Sequence, residues 1–392
     1  LNNGLRQYKN KHIGNIRMKI LGLLAGFTLG TAIYAQDYLV GLKALSDGDY
    51  ETAISELVPL AEQGDVISQL FLGGIYGDDQ GVPQDYEEAA KWYRLAAEQG
   101  SSSAQFNLGL FYSNGHGAPQ NYGEAAKWYR LAAEQGSSSA QFNLGSFYSN
   151  GHGVPQNYGE AAKWYQLAAE QGDSSAQNNL GWFYSNGYGV PQNYGEAAKW
   201  YRLAAEQGDS SAQNNLGWFY SNGYGVPQNY REAAKWYRLA AEQGDSSAQF
   251  NLGLIYSNGY GVPQNYGEAA KWYRLAAEQG DSSAQLGLGW FYSNGHGVPQ
   301  NYGEAAKWYR LAADQGNSSA QFNLGIVYFI GQGVPKNYVR AHVWLNLAAA
   351  HGDDEYASMR DAVEELMTTE QVAEAQHLAT LWQPGTKLDD LQ

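Results

Sequence analysis

Cysteine is absent from all 392 residues. That excludes a disulfide framework, a thiolate metal site, a cysteine nucleophile and a lipid-modified N-terminal cysteine. Strand-like alternation of apolar and polar residues is also missing. So are catalytic signatures: there is no Gly-x-Ser-x-Gly, no His-Glu-x-x-His, no Ser-x-x-Lys and no phosphate-binding glycine loop. Positive charge is scarce, with 24 Lys and Arg against 39 Asp and Glu and a net charge of −15. Five of those cations (Arg6, Lys9, Lys11, Arg17, Lys19) fall in residues 1–35, which hold no acid, so the rest carries 19 basic against 39 acidic residues. Nucleic acid and anionic membranes both need a basic footprint, so neither is an expected partner.

One apolar run stands out, Ile20 to Ala35, and it is shorter than the ~20 residues that a membrane span needs. Lys19 precedes it and small residues close it. "MKILGLLAGFTLGTAIYAQD", starting at Met18, therefore has the layout of a secretory signal peptide with cleavage after Ala35. A retained N-terminal anchor is the alternative. Residues 1–17 read as an upstream extension. The expectation is a periplasmic or secreted bacterial protein with no membrane span after cleavage.

The rest is one unit written repeatedly. "KWYRLAAEQG" occurs at 91, 127, 199, 235 and 271, always in a 36-residue register, with variants at 163 and 307. Such periods indicate a solenoid, propeller or array. Within Ser101–Gly136, "SSAQFNLGLFYSNG" is expected to be helical, with Ser102 and Gln105 as a capping box and Gly115 ending the helix. A proline loop follows. Asn121 and Glu124 then form a second expected box ahead of "EAAKWYRLAAEQ". Helix–loop–helix units stacked in this way make an all-α solenoid. Full units run from 65 to 352, eight in number. A degenerate helix pair (36–64) precedes them, capping helices (353–383) follow, and 384–392 reads as a frayed tail.

The unit closely resembles the Sel-one-like repeat (SLR) family, relatives of the tetratricopeptide repeat. The residues that carry the resemblance are Ala104, Leu108–Gly109, Tyr112, Gly115, Gly117, Ala118–Pro119, Ala125, Trp128, Ala132–Ala133 and Gly136, and the pattern recurs in every full unit. The resemblance implies a right-handed α/α superhelical solenoid that acts as a protein–protein scaffold. Its exported members regulate envelope signalling, serve polysaccharide export or bind host factors. Cysteine-rich members have been called β-lactamases, and this chain lacks their cysteines. By the same resemblance, the first helix of each pair lines a concave groove, and the positions of Ser103, Phe106, Leu110 and Ser113 face the ligand.

Internal comparison points to the same helix. Successive residues turn about 100°, so Ala104, Leu108, Gly109, Phe111 and Tyr112 share a packed stripe, with Phe106 and Leu110 opposite. Most of the unit is copied letter for letter, yet these two slots vary. The Phe106 slot reads Phe142, Asn178, Asn214, Phe250, Leu286 and Phe322. The Leu110 slot reads Ser146, Trp182, Trp218, Leu254, Trp290 and Ile326. A slot that accepts Ser, Leu or Trp is not in a tight core. The candidate contact residues are therefore Phe106, Leu110, Phe142, Asn178, Trp182, Asn214, Trp218, Phe250, Leu254 and Trp290. Packing against the next unit is the competing explanation.

Other repeated residues have structural explanations. Trp128 and its equivalents lie in a helical stripe with Ala125 and Ala132 and are expected in the core. His116, His152 and His296 share a loop slot with Tyr188, Tyr224 and Tyr260, expected at the rim, too widely spaced for a metal. Glu124–Lys127 and Arg130–Glu134 are spaced for intrahelical pairs on a solvated face. No cofactor, metal or catalytic group is expected. The expected partner is an envelope or host protein. The alternative is a polysaccharide on the aromatic ladder, and a β-lactamase-like hydrolase is the remotest reading.

Overall fold

The computed structural model describes residues 29–78, 81–350 and 352–388, with side chains from residue 38 on. The expected upstream extension and most of the expected signal peptide (1–28) lie outside the described residues. The described chain is entirely helical and divides into two compact bodies, meeting in sequence between Gln171 and Gly172.

The first body holds α1 (Leu29–Asp47), α2 (Tyr50–Glu62), α3 (Val66–Gly77), α4 (Tyr86–Glu98), α5 (Ser102–Asn114), α6 (Tyr122–Glu134), α7 (Ser138–Asn150) and α8 (Tyr158–Glu170). The second holds α9 (Ser174–Asn186), α10 (Tyr194–Glu206), α11 (Ser210–Asn222), α12 (Tyr230–Glu242), α13 (Ser246–Asn258) and α14 (Tyr266–Glu278). It continues with α15 (Ser282–Asn294), α16 (Tyr302–Asp314), α17 (Ser318–Ile330), α18 (Tyr338–Ala349), α19 (Asp354–Glu364) and α20 (Thr369–Leu381). Within each body successive helices pack on one another, except that α20 packs on α18, the expected architecture of tandem helix pairs.

Thirteen-residue helices are marginal alone, so caps and packing decide them. At the start of α5 the N-cap is Ser101, whose side chain accepts from the Ala104 N–H. The expected Ser102–Gln105 box does not form, because Gln105 turns inward and its Nε2 donates to the Ala97 carbonyl at 3.1 Å. The second expected box is half formed. Asn121 Oδ1 accepts from the Glu124 N–H at 3.1 Å, while the Glu124 carboxylate pairs with Lys127. The fully reciprocal box is at Thr368 and Gln371. Gly115 ends α5 in the left-handed conformation, as expected (φ 72°, ψ 32°).

The core of a unit is small. In the second body Ala197, Ala204, Ala212 and Leu216 have no exposed surface and surround Tyr201 and Phe219. The interior glycine of the first helices makes room for a tyrosine ring, except in α17, where Gly325 makes room for Leu345. A Cβ on Gly217 would lie 2.7 Å from Tyr237 Cδ1. Burial pushes the Tyr237 hydroxyl up to about 12, partly offset by Ser221. A glutamine relay runs through each joint: Gln243 Nε2 donates to Gln213 Oε1 at 2.8 Å within one unit, and Gln213 Nε2 donates to the Ala205 carbonyl of the preceding unit at 3.1 Å.

Two further expectations change here, the intrahelical arginine–glutamate pair and the frayed tail. Arg202 does not pair with Glu206; its Nη2 donates to the Tyr220 hydroxyl at 2.6 Å, one unit on. Arg130 likewise reaches Tyr148 rather than Glu134. A planar guanidinium over a ring gains more there than in an exposed ion pair. Of the expected tail, residues 384–388 are docked and not frayed: the Gly385 N–H donates to the Asp314 carbonyl at 2.7 Å and Leu388 is buried in the C-terminal core, while 389–392 lie outside the described residues.

The second body caps four of its first helices with aspartate (Asp173, Asp209, Asp245, Asp281) where Asp65, Ser101, Ser137 and Asn317 serve elsewhere. Burial raises the Asp209 carboxyl, and neighbouring Asp245 adds to that, against the opposing Ala212 and Ser211 N–H groups. Burial likewise raises Asp173, with Asp209 adding. A raised native pKa means that the folded state binds the proton more tightly. Stability is thus lost as pH rises from the ordinary carboxylate range through the native pKa. Asp209→Asn keeps the cap and removes that loss. Denaturation midpoints should therefore favour the variant above this window, with the gap closing as pH falls below it.

Candidate partner-binding face

The variable slots of the first helices divide into two kinds. Trp182, Trp218 and Trp290 are 45%, 45% and 44% exposed, and Leu254 also faces solvent. These four stand on the surface opposite the buried stripe. Phe106 and Leu110 are half-buried against the core that α6 and α7 form. Phe106 leans on Tyr129 at 5.9 Å, Phe142 on Tyr165 at 5.8 Å and Phe250 on Tyr273 at 5.8 Å between ring centroids. Asn178 and Asn214 bridge neighbouring first helices: Asn178 Oδ1 accepts from Asn215, and Asn214 Oδ1 from Asn251, each at 3.1 Å. One slot therefore helps join units, and the other, one turn on, holds the exposed indoles. Ser293, in the slot of Ser113, lies 3.2 Å from the Tyr309 hydroxyl, so this slot also touches the packed side.

The loop slot carries more than a rim. Tyr188 lies 4.8 Å from Trp182, Tyr224 4.8 Å from Trp218, and His296 4.8 Å from Trp290. Each loop ring rests on the exposed indole of its own unit. Tyr224 also meets Tyr194 at 4.8 Å, and His296 meets Tyr266 at 4.6 Å. The result is a three-ring ledge, with two tyrosines at Trp218, and a tyrosine and a histidine at Trp290. Such offset contacts add about 0.5–1.5 kcal/mol each beyond area burial. They also restrain the indole before any partner arrives. The six-residue spacing of Trp218 and Tyr224 exceeds one helical turn, so helix periodicity alone does not pair them. The left-handed Gly223 (φ 75°) and Gly225 (φ 63°) on either side of Tyr224 are the signal that could have done so.

The second helices place a leucine rather than an indole on their exposed side, Leu203 at 45% among them. Trp236, Trp272, Trp308 and Trp344 are buried, as expected of the core stripe, while Trp128, Trp164 and Trp200 are half-buried. Lys127, Lys163 and Lys199 pair with Glu124, Glu160 and Glu196 on an exposed surface, where such pairs contribute a few tenths of a kcal/mol. A cleft of about 410 Å³ near the C-terminus has mixed charge, with Lys336 and Arg340 facing Gln371 and Glu374. Among the described residues, no group of three or more His, Asp or Glu could hold a metal ion. No helix among them is long and apolar enough to cross a membrane.

Comparison with known proteins accounts for the repeat. The Sel1 repeat model matches eight consecutive segments, 66–101, 102–137, 138–173, 174–209, 210–245, 246–281, 282–317 and 318–353. A crystal structure of a Sel1 repeat protein from Oxalobacter formigenes is 34% identical, covering 79% of this chain and 90% of that one, with a TM-score of 0.63. A protective antigen of uropathogenic Escherichia coli with an SLR fold is also 34% identical over 84% of this chain and 86% of that one, with a TM-score of 0.47. Among curated proteins none matches.

Proposed function

Starting from the fact that this chain belongs to the Sel1 repeat family, whose members generally act as protein–protein interaction scaffolds and are typically non-enzymatic, we propose that it is an exported scaffold. Its partner is a protein, of the cell envelope or of a host, held on the exposed first-helix face. One observation carries the reading: within units otherwise copied almost letter for letter, three indoles stand about half exposed, each backed by a loop ring. Indoles in such settings are typical binding hot spots. Export rests on the leader-like run from Met18 to Ala35, and a reporter fused after Gln36 that is active only outside the cytoplasm would test it.

The binding test is the triple change Trp182→Ala, Trp218→Ala and Trp290→Ala. The helical circular dichroism and midpoint should stay close to those of the parent, because the indoles lie outside the cores. Capture of envelope proteins should fall at least tenfold. Undiminished capture by the folded variant would sink the assignment of this face. Loss of binding on a glycan array, with protein capture intact, would favour a polysaccharide on the same rings.

A further inference from the structure

Units 173–208 and 209–244 are identical apart from one position, Gly195 against Arg231. Their Trp–Tyr pairs are therefore two copies of one pair. Trp182 and Trp218 are equally exposed, at 45%, and each sits 4.8 Å from its loop tyrosine at a similar tilt, 38° and 32°. The hydrogen bond between Asn178 and Asn215 shows that α9 and α11 are direct neighbours. A 3.1 Å bond between two asparagine side chains holds the helices about 10 Å apart at that point, and Trp182 and Trp218, being equivalent residues, are offset by one such unit step. Two identical sites one step apart select a ligand that repeats itself at the same step.

We propose that the paired ledges bind a proline-rich segment of the protein partner in the polyproline II conformation, with a basic residue at every third position. This rests on the scaffold reading above. Polyproline II repeats every three residues at ~3.1 Å per residue, or about 9 Å per turn, which matches the spacing of packed helices. Each turn places a pyrrolidine face over one indole, whose other face is held by the tyrosine. The other recurring peptide modes fit less well. Strand addition needs free backbone groups, and a helical backbone has spent its own. Capture of an acidic or phosphorylated motif needs arginine, and "SSAQNNLGWFYSN" on α9 and α11 has no charged residue. A helix laid in a groove needs a continuous apolar stripe, and the slot one turn before each indole is asparagine. The indoles stand toward the helix C-termini, where the carbonyl dipoles favour cations, on a chain of net charge −15. This favours lysine or arginine at the solvent-facing third position.

The segment needs no folding on arrival, and the ledge is already ordered, so little entropy is lost. Occupying both ledges with one segment makes the second contact intramolecular. The Trp290 ledge differs, with Leu286 and His296 in place of asparagine and tyrosine, and its preceding unit carries Leu254 instead of tryptophan.

The test is titration of the full chain, by calorimetry or tryptophan fluorescence, with a peptide of about four Pro-Pro-Lys triplets. The controls are a Gly-Ser-Lys peptide of equal length and charge, and a neutral linear glucose oligosaccharide. The Pro-Pro-Lys peptide should bind and the controls should not. Trp182→Ala or Trp218→Ala should each weaken binding about tenfold, the pair about a hundredfold or more, and Trp290→Ala less than threefold. Equal binding of the Gly-Ser-Lys peptide, binding of the oligosaccharide alone, or indifference to Trp182 and Trp218 would each overturn the proposal. If the peptide fails while envelope protein capture still depends on the indoles, this inference fails and the scaffold reading stands. If capture is also indifferent to them, both fail.

Discussion

Replacing Gly225 by alanine is expected to cost about 3 kcal/mol or more, while the same change at Gly223, two residues earlier, costs about 1 kcal/mol. Both glycines have positive φ, 63° and 75°. Conformation alone would treat them alike. Their surroundings do not. A Cβ on Gly223 meets Gln228 Cβ at 3.4 Å, an ordinary contact. A Cβ on Gly225 would lie 2.1 Å from the Tyr194 carbonyl oxygen and 2.6 Å from the Gly195 nitrogen, both backbone atoms at the start of α10. Backbone cannot swing aside as a side chain can, so the loop must lift. Lifting it also takes Tyr224 off Tyr194. Gly225→Ala should therefore lower both the denaturation midpoint and partner binding, and Gly223→Ala should lower the midpoint slightly. Equal shifts for the two variants would show that the loop does not rest on the preceding unit.

A second pair of changes should reverse sign with its background. Gly217 costs α11 about 1 kcal/mol of helix propensity relative to alanine. It is kept because the Tyr237 ring occupies the place of its missing Cβ, with ring atoms 2.7, 2.8 and 3.0 Å away. Gly217→Ala should destabilise by about 1–3 kcal/mol through overpacking. Tyr237→Ala should cost about 3–5 kcal/mol as an emptied core site. With the ring gone, the methyl group has room. Adding Gly217→Ala to Tyr237→Ala should then stabilise, by up to about 1 kcal/mol. A double-mutant cycle in urea measures this. Simple additivity would mean that the ring and the glycine are not coupled.

Much of this was legible in the sequence, for reasons that can be named. The 36-residue register, the helix pairs and the glycine at the end of each first helix follow from local chemistry. The place of Gly109 in the packed stripe and the outward turn of Trp182 follow from 100° geometry combined with the few slots that vary. Contacts that leave the helix were harder. Arg202 sits four residues from Glu206, yet it bonds Tyr220, 18 residues away, because the next unit brings a ring within reach. Gln105 has the spacing of a capping box but points into the joint, where Gln135 bonds it. The variable Phe106 slot reads as a contact surface, and in the structure it leans on Tyr129 of the next helix. The stacking of Tyr224 on Trp218 depends on two left-handed glycines, so it is written in loop dihedrals and not in any periodicity.

Near-identity of neighbouring units raises a question of folding kinetics. The joint that α10 makes with α11 is nearly the same surface as the joint of α12 with α13, so side chains cannot tell the correct neighbour from one a step away. Connection length supplies that information. Only Gln207, Gly208 and Asp209 separate α10 from α11. A three-residue tether closes far faster than one carrying an additional unit. Correct order is therefore won by speed, and crowded or intermolecular conditions, where a copy on another chain competes with the tether, are where misregistered pairs would form.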